Sequence, residues 1–344
     1  MKYEVFIIDS AQVPHGDDDS IEREILRDCA NVQFLKLRSE EEFAAYSNHA
    51  DAIILWHHLQ ITAGMLNKLA KTRLIVRNGV GYDNVDINAA AAAGIAVANV
   101  PDYGTEEVAD HAIALALALT RQLKPLMADV AAGSWEWRTA LECRRIRGRV
   151  FGIIGCGRIG TATALRAKAL GFAVRFFDPY LPSGYEKAIG VERSASLEDL
   201  IRAADVVSLH VPLSEETHHL IGEREFALMK KSTYLINTAR GPLVAQSALL
   251  EALSQGLLAG AGMDVLEEEP LGTEALQKIP NCIITPHTAF YSQESLVEMR
   301  EKSALIVRDA LLHDRYSNVV NRQGTQKWRR VNGTVTPALS ETRP

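Results

Sequence analysis

Short apolar runs with little internal alternation recur along this chain, each followed by a stretch of helical periodicity. VFIID (5–9), AIIL (52–55), LIVRN (74–78) and AVANV (96–100) form one series. RVFGIIG (149–155), AVRFFD (173–178), VVSLHVP (206–212), TYLINTA (233–239), GAGMDVL (260–266) and CIITPH (282–287) form a second. A strand that is apolar on both sides is buried on both faces, and strands separated by helices run parallel. The pattern therefore predicts an α/β protein with two doubly wound parallel sheets. A length of 344 residues suits about two such domains. Helical periodicity also marks residues 104–123, which could bridge the domains, and residues 292–313. After about residue 322 periodicity disappears, so 323–344 reads as a flexible tail.

Composition excludes several classes. A net charge of −6 argues against non-specific nucleic-acid binding, which needs a basic face. No apolar run reaches the roughly 18 residues of a membrane span, and the N-terminus enters a strand pattern without a cleavable signal. Cys29, Cys143, Cys156 and Cys282 are widely separated and form no CxxC pair, which indicates free thiols and a reducing, cytoplasmic setting. His57–His58 and His218–His219 are adjacent pairs, and no ligand spacing suggests a metal.

The glycine-rich segment GIIGCGRIG directly follows a strand run and opens a helical stretch, with Gly155, Gly157 and Gly160 in GxGxxG spacing. Such glycines permit a tight turn and close backbone approach to a pyrophosphate, which sits at the helix start beside Arg158 and Ile159. Asp178 ends the next strand run, where a ribose-binding carboxylate belongs. Its charge repels a 2′-phosphate, and Pro179 and Tyr180 offer no cation to hold one. NAD is therefore the expected cofactor, in preference to NADP.

Three strand ends of the second series carry polar residues that a scaffold does not require. Arg240 follows TYLINTA, the run Glu267–Glu268–Glu269 follows GAGMDVL, and His287 follows CIITP. Ligands of open parallel sheets bind beyond the carboxyl ends of the strands. The residues alone leave open which glutamate faces inward, and a surface arginine, a solvated acidic run and a loop histidine remain the plain alternatives.

VFGIIGCGRIG, LHVPL, INTARGPLV, GMDVLEEEP and TPHTAFYS resemble, in order, the signatures of the D-isomer-specific 2-hydroxyacid dehydrogenases. RNGVGYDNVD, LRAKALGF, FDPYL, THHLI and PHTAFYSQESLVEMRE are similar to the C-terminal-binding-protein branch of that family. The resemblance covers the chain to about residue 320. It implies two Rossmann/flavodoxin-like domains with a cleft between them: a discontinuous substrate domain (1–100 plus 290–322) and an NAD-binding domain (101–289). It implies Arg240, Glu269 and His287 as the catalytic set, since the family's acid lies five residues after Asp264 and just before a proline. Glu267 and Glu268 would then be solvated neighbours. Arg77, Asn78, Gly79, Val80 and Gly81 would bind the substrate carboxylate. Thr105, Val108, Thr238, Ala239 and Asp264 would border the nicotinamide, and Val211, Pro212 and Thr217 the adenine. Phe290 stands where the branch usually has a tryptophan, keeping an apolar wall while losing an indole N–H.

The implied activity is NAD-dependent interconversion of a 2-keto acid and a D-2-hydroxy acid, with His287 moving the proton. Phosphoglycerate, hydroxypyruvate, glyoxylate or phosphite remain alternative substrates, and an NAD(H)-sensing binding protein is a reading from a different class. The family also suggests a homodimer, with residues 105–122 and GSWEWR (133–138) reaching the partner.

Overall fold

The computed structural model describes residues 2–11, 18–39, 42–43, 49–269 and 281–321. The expected flexible tail, 323–344, lies outside the described residues. The chain divides into two compact units, one formed by Met1–Gly104 with Gln293–Pro344 and the other by Thr105–Ser292.

In the first unit, β1 (Tyr3–Ser10), α1 (Ser20–Leu26), β2 (Ala30–Leu37), β3 (Ala52–Leu55), α2 (Ala63–Leu66), β4 (Leu74–Arg77), α3 (Ile87–Ala93) and β5 (Ala96–Asn99) are followed by the C-terminal helix Gln293–His313. The strands pair in parallel in the order β2-β1-β3-β4-β5. That order has a reversal beside β1, as in flavodoxin-like sheets. Strands β3, β4 and β5 are buried throughout, as their unalternating apolar runs require. Alternate residues Phe6, Ile53, Ile75 and Val97 fill one face with Met65 and Leu66. Strand β2 was not among the expected strands. It lies at the sheet edge, and its exposed Asn31, Gln33 and Lys36 interrupt the apolar signal. The C-terminal helix is fixed to α1 by a buried ion pair, in which Arg300 donates to both oxygens of Glu22 at 2.8 and 2.6 Å.

The second unit begins with α4 (Thr105–Thr120), where helical periodicity was read over 104–123, and continues with α5 (Leu123–Ala131). Gln122 takes a left-handed backbone (φ 54°) and separates the two helices, and Pro125 lies in the first turn of α5, where a proline is tolerated. There follow β6 (Val150–Ile154), α6 (Arg158–Ala169), β7 (Ala173–Phe177), α7 (Tyr185–Ile189), β8 (Glu192–Arg193), α8 (Leu197–Ala203), β9 (Val206–Leu209), α9 (Glu223–Leu228), β10 (Tyr234–Asn237), α10 (Gln246–Ser254), β11 (Gly260–Met263) and β12 (Cys282–Ile284). The parallel order is β12-β11-β10-β9-β6-β7-β8. Alternate strand residues enter opposite cores: Ile154, Val207, Leu209, Leu235 and Met263 on one face, Phe151, Ile153, Val206 and Ile236 on the other. The strand order reverses between β6 and β9, which places the topological crevice directly above the glycine loop.

The four cysteines are free thiols. No described helix is long and apolar enough to cross a membrane.

Candidate active site

The exits of β10, β11 and β12 carry Arg240, Glu269 and His287. Arg240 is set by Asn237, whose side-chain amide donates to the Arg240 carbonyl at 2.7 Å and accepts the Ala239 N–H at 3.0 Å. One guanidinium nitrogen of Arg240 donates to the Ala239 carbonyl at 2.7 Å. Glu269 curls back onto its own loop, where Oε1 accepts the Leu266 N–H at 2.9 Å. Its other oxygen, Oε2, lies 2.7 Å from His287 Nδ1. Burial pushes the Glu269 carboxyl up. The His287 hydrogen bond and charge, the Leu266 N–H and the Arg240 charge together bring it below its ordinary value. The carboxylate thus stays ionised beside the imidazole.

His287 occupies a left-handed backbone conformation (φ 51°), uncommon for a residue with a side chain. Asp264 holds the turn in that shape. Its carbonyl accepts the His287 N–H at 2.8 Å. Its carboxylate accepts from Thr285 Oγ1 at 2.5 Å and from the N–H groups of Thr288 and Ala289 at 3.0 and 2.9 Å. Phe290 stands edge-on to the His287 ring, with centroids 6.4 Å apart. Nδ1 is the ring nitrogen that meets the Glu269 carboxylate. Among the described residues, no group of three His, Cys, Asp or Glu side chains is placed to hold a metal ion.

The glycine loop joins β6 to α6. Gly155 has φ 84°, and a Cβ there would stand 2.6 Å from Val211 and 2.8 Å from the His210 carbonyl. At Gly160 a Cβ would meet the Gly155 carbonyl at 2.0 Å. At Gly157, by contrast, nothing lies within 4 Å. A side chain there would fill the space a pyrophosphate needs. Gly157 also caps α6 without any side-chain hydrogen bond, so the first N–H groups of that helix face outward as an anion site. Asp178 accepts the Cys156 N–H on Oδ2 at 2.9 Å and the Tyr180 N–H on Oδ1 at 3.0 Å. Each oxygen retains a lone pair for a ribose hydroxyl. Arg175 is paired with Glu192 at 3.1 Å, away from that role. Thr238 Oγ1 is buried with no hydrogen-bond partner among the described residues, as suits a group that meets a bound molecule. These residues fit a dinucleotide.

The sequence model of the D-isomer specific 2-hydroxyacid dehydrogenase NAD binding domain matches residues 113–289. A glyoxylate reductase of Korarchaeum cryptofilum is 40% identical over 258 residues, 74% of this chain and 77% of the relative. A D-3-phosphoglycerate dehydrogenase of Methanocaldococcus jannaschii is 35% identical over 297 residues, which are 86% of this chain but 56% of the relative. The chain thus spans little more than half of that longer protein. Among solved structures, the D-lactate dehydrogenase of Aquifex aeolicus, complexed with NAD and lactic acid, is 32% identical with a TM-score of 0.80. That match covers 90% of this chain and 96% of the other. The chain belongs to the D-isomer specific 2-hydroxyacid dehydrogenase family. It is an NAD-dependent oxidoreductase of that family.

The other expected site residues lie as follows within their own units. Thr105 and Val108 lie in the first turn of α4. Val211 borders the glycine loop, and Thr217 Oγ1 donates to the Pro212 carbonyl at 2.7 Å, shaping the exit of β9. In the first unit, Arg77 ends β4 and donates to the Asn78 carbonyl at 3.0 Å. Asn78 Oδ1 accepts from Ser303 at 2.8 Å, and the Val80 carbonyl accepts from Asn99 at 2.6 Å, which fixes the loop through Gly79 and Gly81.

One expectation is corrected. Glu267 is not a solvated neighbour, because it is hydrogen-bonded to His219 and accepts the Gln246 N–H at 3.2 Å. Glu268 is exposed. Sequence reasoning also missed Arg193, whose guanidinium donates to the Asp178 and Pro182 carbonyls and to Glu186. It braces the turn that carries Asp178. Nothing in the local pattern of the two-residue strand β8 announces that contact.

Proposed function

We propose that this protein reduces 2-keto acids to D-2-hydroxy acids with NADH, and catalyses the reverse reaction, using Arg240, Glu269 and His287. The observation that carries this reading is the 2.7 Å contact between an ionised Glu269 and His287 Nδ1, with Arg240 close enough for its charge to act on the same carboxylate. When bound, the reduced nicotinamide supplies the hydride for the carbonyl carbon. His287 gives a proton from Nε2 to the carbonyl oxygen, and Glu269 stabilises the imidazolium before that transfer. Arg240 presents a planar fork of donors to the substrate carboxylate and the polarised oxygen. In oxidation His287 takes the proton back. Arg77 and the loop Asn78–Gly81 contribute N–H donors to the substrate carboxylate. Thr105, Val108, Thr238, Ala239 and Asp264 border the nicotinamide; Val211, Pro212 and Thr217 border the adenine.

The working unit in this reading is a cytoplasmic homodimer. Its support is an apolar surface on α5 and the segment after it: Met127, Val130, Trp135, Trp137 and Leu141 are all more than half exposed. Light scattering on purified protein tests the dimer, and a monomer at micromolar concentration contradicts it. The activity is tested by a panel of 2-keto acids with NADH, followed by loss of reduced cofactor. Turnover is expected with at least one member; none across glyoxylate, pyruvate, hydroxypyruvate and longer side chains would overturn the reading.

A further inference from the structure

A second histidine–glutamate pair lies directly upstream of the first. His219 Nε2 and Glu267 Oε1 are hydrogen-bonded. The other oxygen of Glu267 accepts the Gln246 N–H at 3.2 Å, and the Glu267 N–H returns a bond to Gln246 Oε1 at 3.4 Å. The backbone repeats the connection, since the His219 N–H donates to the Pro242 carbonyl at 2.7 Å and the Ile221 N–H to the Leu243 carbonyl at 3.0 Å. One carboxylate therefore joins three segments: the stretch after β9 at His219, the Arg240–Gln246 turn, and residues Leu266–Glu269.

The last two segments touch with no slack. A Cβ on Gly241, the residue after Arg240, would lie 1.8 Å from the Leu266 carbonyl oxygen and 2.6 Å from the Glu267 nitrogen. Leu266 in turn provides the N–H that orients Glu269. A slip of the Leu266–Glu267 peptide would thus rotate Glu269 away from His287 and shift Arg240 at the same time. His219 holds a left-handed backbone conformation (φ 51°), which a residue with a side chain adopts only when its surroundings fix it.

We infer that Glu267, anchored by His219, is a positioning residue that holds the Glu269 loop against the Arg240 turn and so gives the Glu269–His287 pair one geometry. The inference rests on the function proposed above for that pair. Glu267 does not itself reach the reacting atoms. Its effect falls on the rate of the chemical step, which is sensitive to misplacement: about 1 Å costs roughly 100-fold.

Three variants test it. His219→Asn removes the anchor with a residue that tolerates positive φ. Glu267→Ala removes the carboxylate. Glu267→Gln keeps an acceptor for Gln246 and an amide for His219. Two readouts apply: kcat and KM for the best keto acid, and the His287 Nδ1–H resonance in nitrogen-15 histidine spectra, assigned by its absence in His287→Gln. For His219→Asn and Glu267→Ala, kcat is expected to fall roughly 10- to 100-fold with KM and NADH affinity within about twofold. The resonance should broaden or disappear in both, and Glu267→Gln should retain both properties. If Glu267→Ala fails to fold, His219→Asn decides. Wild-type kcat and an intact resonance in His219→Asn overturn the inference, as does a parallel loss of NADH affinity, which marks general structural damage. If the wild-type protein reduces no keto acid, the proposed function fails, while the resonance still decides whether Glu267 positions the pair.

Discussion

Glu269 faces His287 across 2.7 Å while its second oxygen is held by the Leu266 N–H at 2.9 Å, so a single carboxylate is oriented at both ends. Adjacent glutamates on the same loop do different things. Glu268 is exposed, Glu267 binds His219, and only Glu269 meets the histidine that follows β12.

Replacing Glu269 with Gln tests this division through pH. Burial raises the Glu269 carboxyl, but hydrogen bonding and charge from His287 help hold it below its ordinary value, and Glu269→Gln removes that charge from beside the imidazole. In keto-acid reduction the basic limb of the rate profile is expected to move to lower pH in Glu269→Gln and to stay in place in Glu268→Gln. A one-unit move corresponds to about 1.4 kcal/mol. Stability follows the same sign. With a lowered carboxylate, the stabilising contribution is present above about pH 4.3 and is lost as pH falls through the lowered value. The difference in melting temperature between wild type and Glu269→Gln should therefore shrink in acid.

Asp178→Ala bears on cofactor choice. In the proposed function it removes an acceptor for ribose hydroxyls and a charge that repels a 2′-phosphate, and it also releases the Cys156 and Tyr180 N–H groups. NAD affinity should fall and the preference over NADP should narrow, as read by titration with both cofactors. Unchanged selectivity would remove Asp178 from the ribose site.

How much of this was legible beforehand differs from residue to residue. The parallel strands were readable because burial on both faces leaves runs such as AIIL and LIVR without polar interruption. Edge strand β2 was not, since its exposed positions dilute the same signal. The glycine loop could be read because Gly155 and Gly160 are sterically required at fixed spacing. Glu267 could not be separated from its neighbours, because its partner His219 lies 48 residues away and only the fold brings them together. Arg300 and Glu22, 278 residues apart, were invisible for the same reason.

That buried pair gives a stability prediction. Glu22 is 1% exposed, and Arg300→Ala would leave its carboxylate in the first unit's core without the guanidinium. Loss of one partner of a buried ion pair costs about 3–5 kcal/mol. Denaturant unfolding should register that loss, and a change below about 1 kcal/mol would mean that water reaches Glu22.

Phe290 sits edge-on to His287 and is expected to wall the substrate side chain. Phe290→Ala should reorder keto acids by side-chain size with little change in NADH affinity. A uniform loss across the panel would assign Phe290 to packing instead.

In the proposed function His287 moves the proton in a nicotinamide-dependent reduction. Its most direct test compares wild type with His287→Gln at saturating NADH, following cofactor oxidation and resolving the product on a chiral column. Wild type should form the D-2-hydroxy acid. His287→Gln should lower kcat by about 10²- to 10⁴-fold while binding NADH as tightly as wild type. Wild-type turnover by His287→Gln, or an L-hydroxy acid product, would overturn the proposed function.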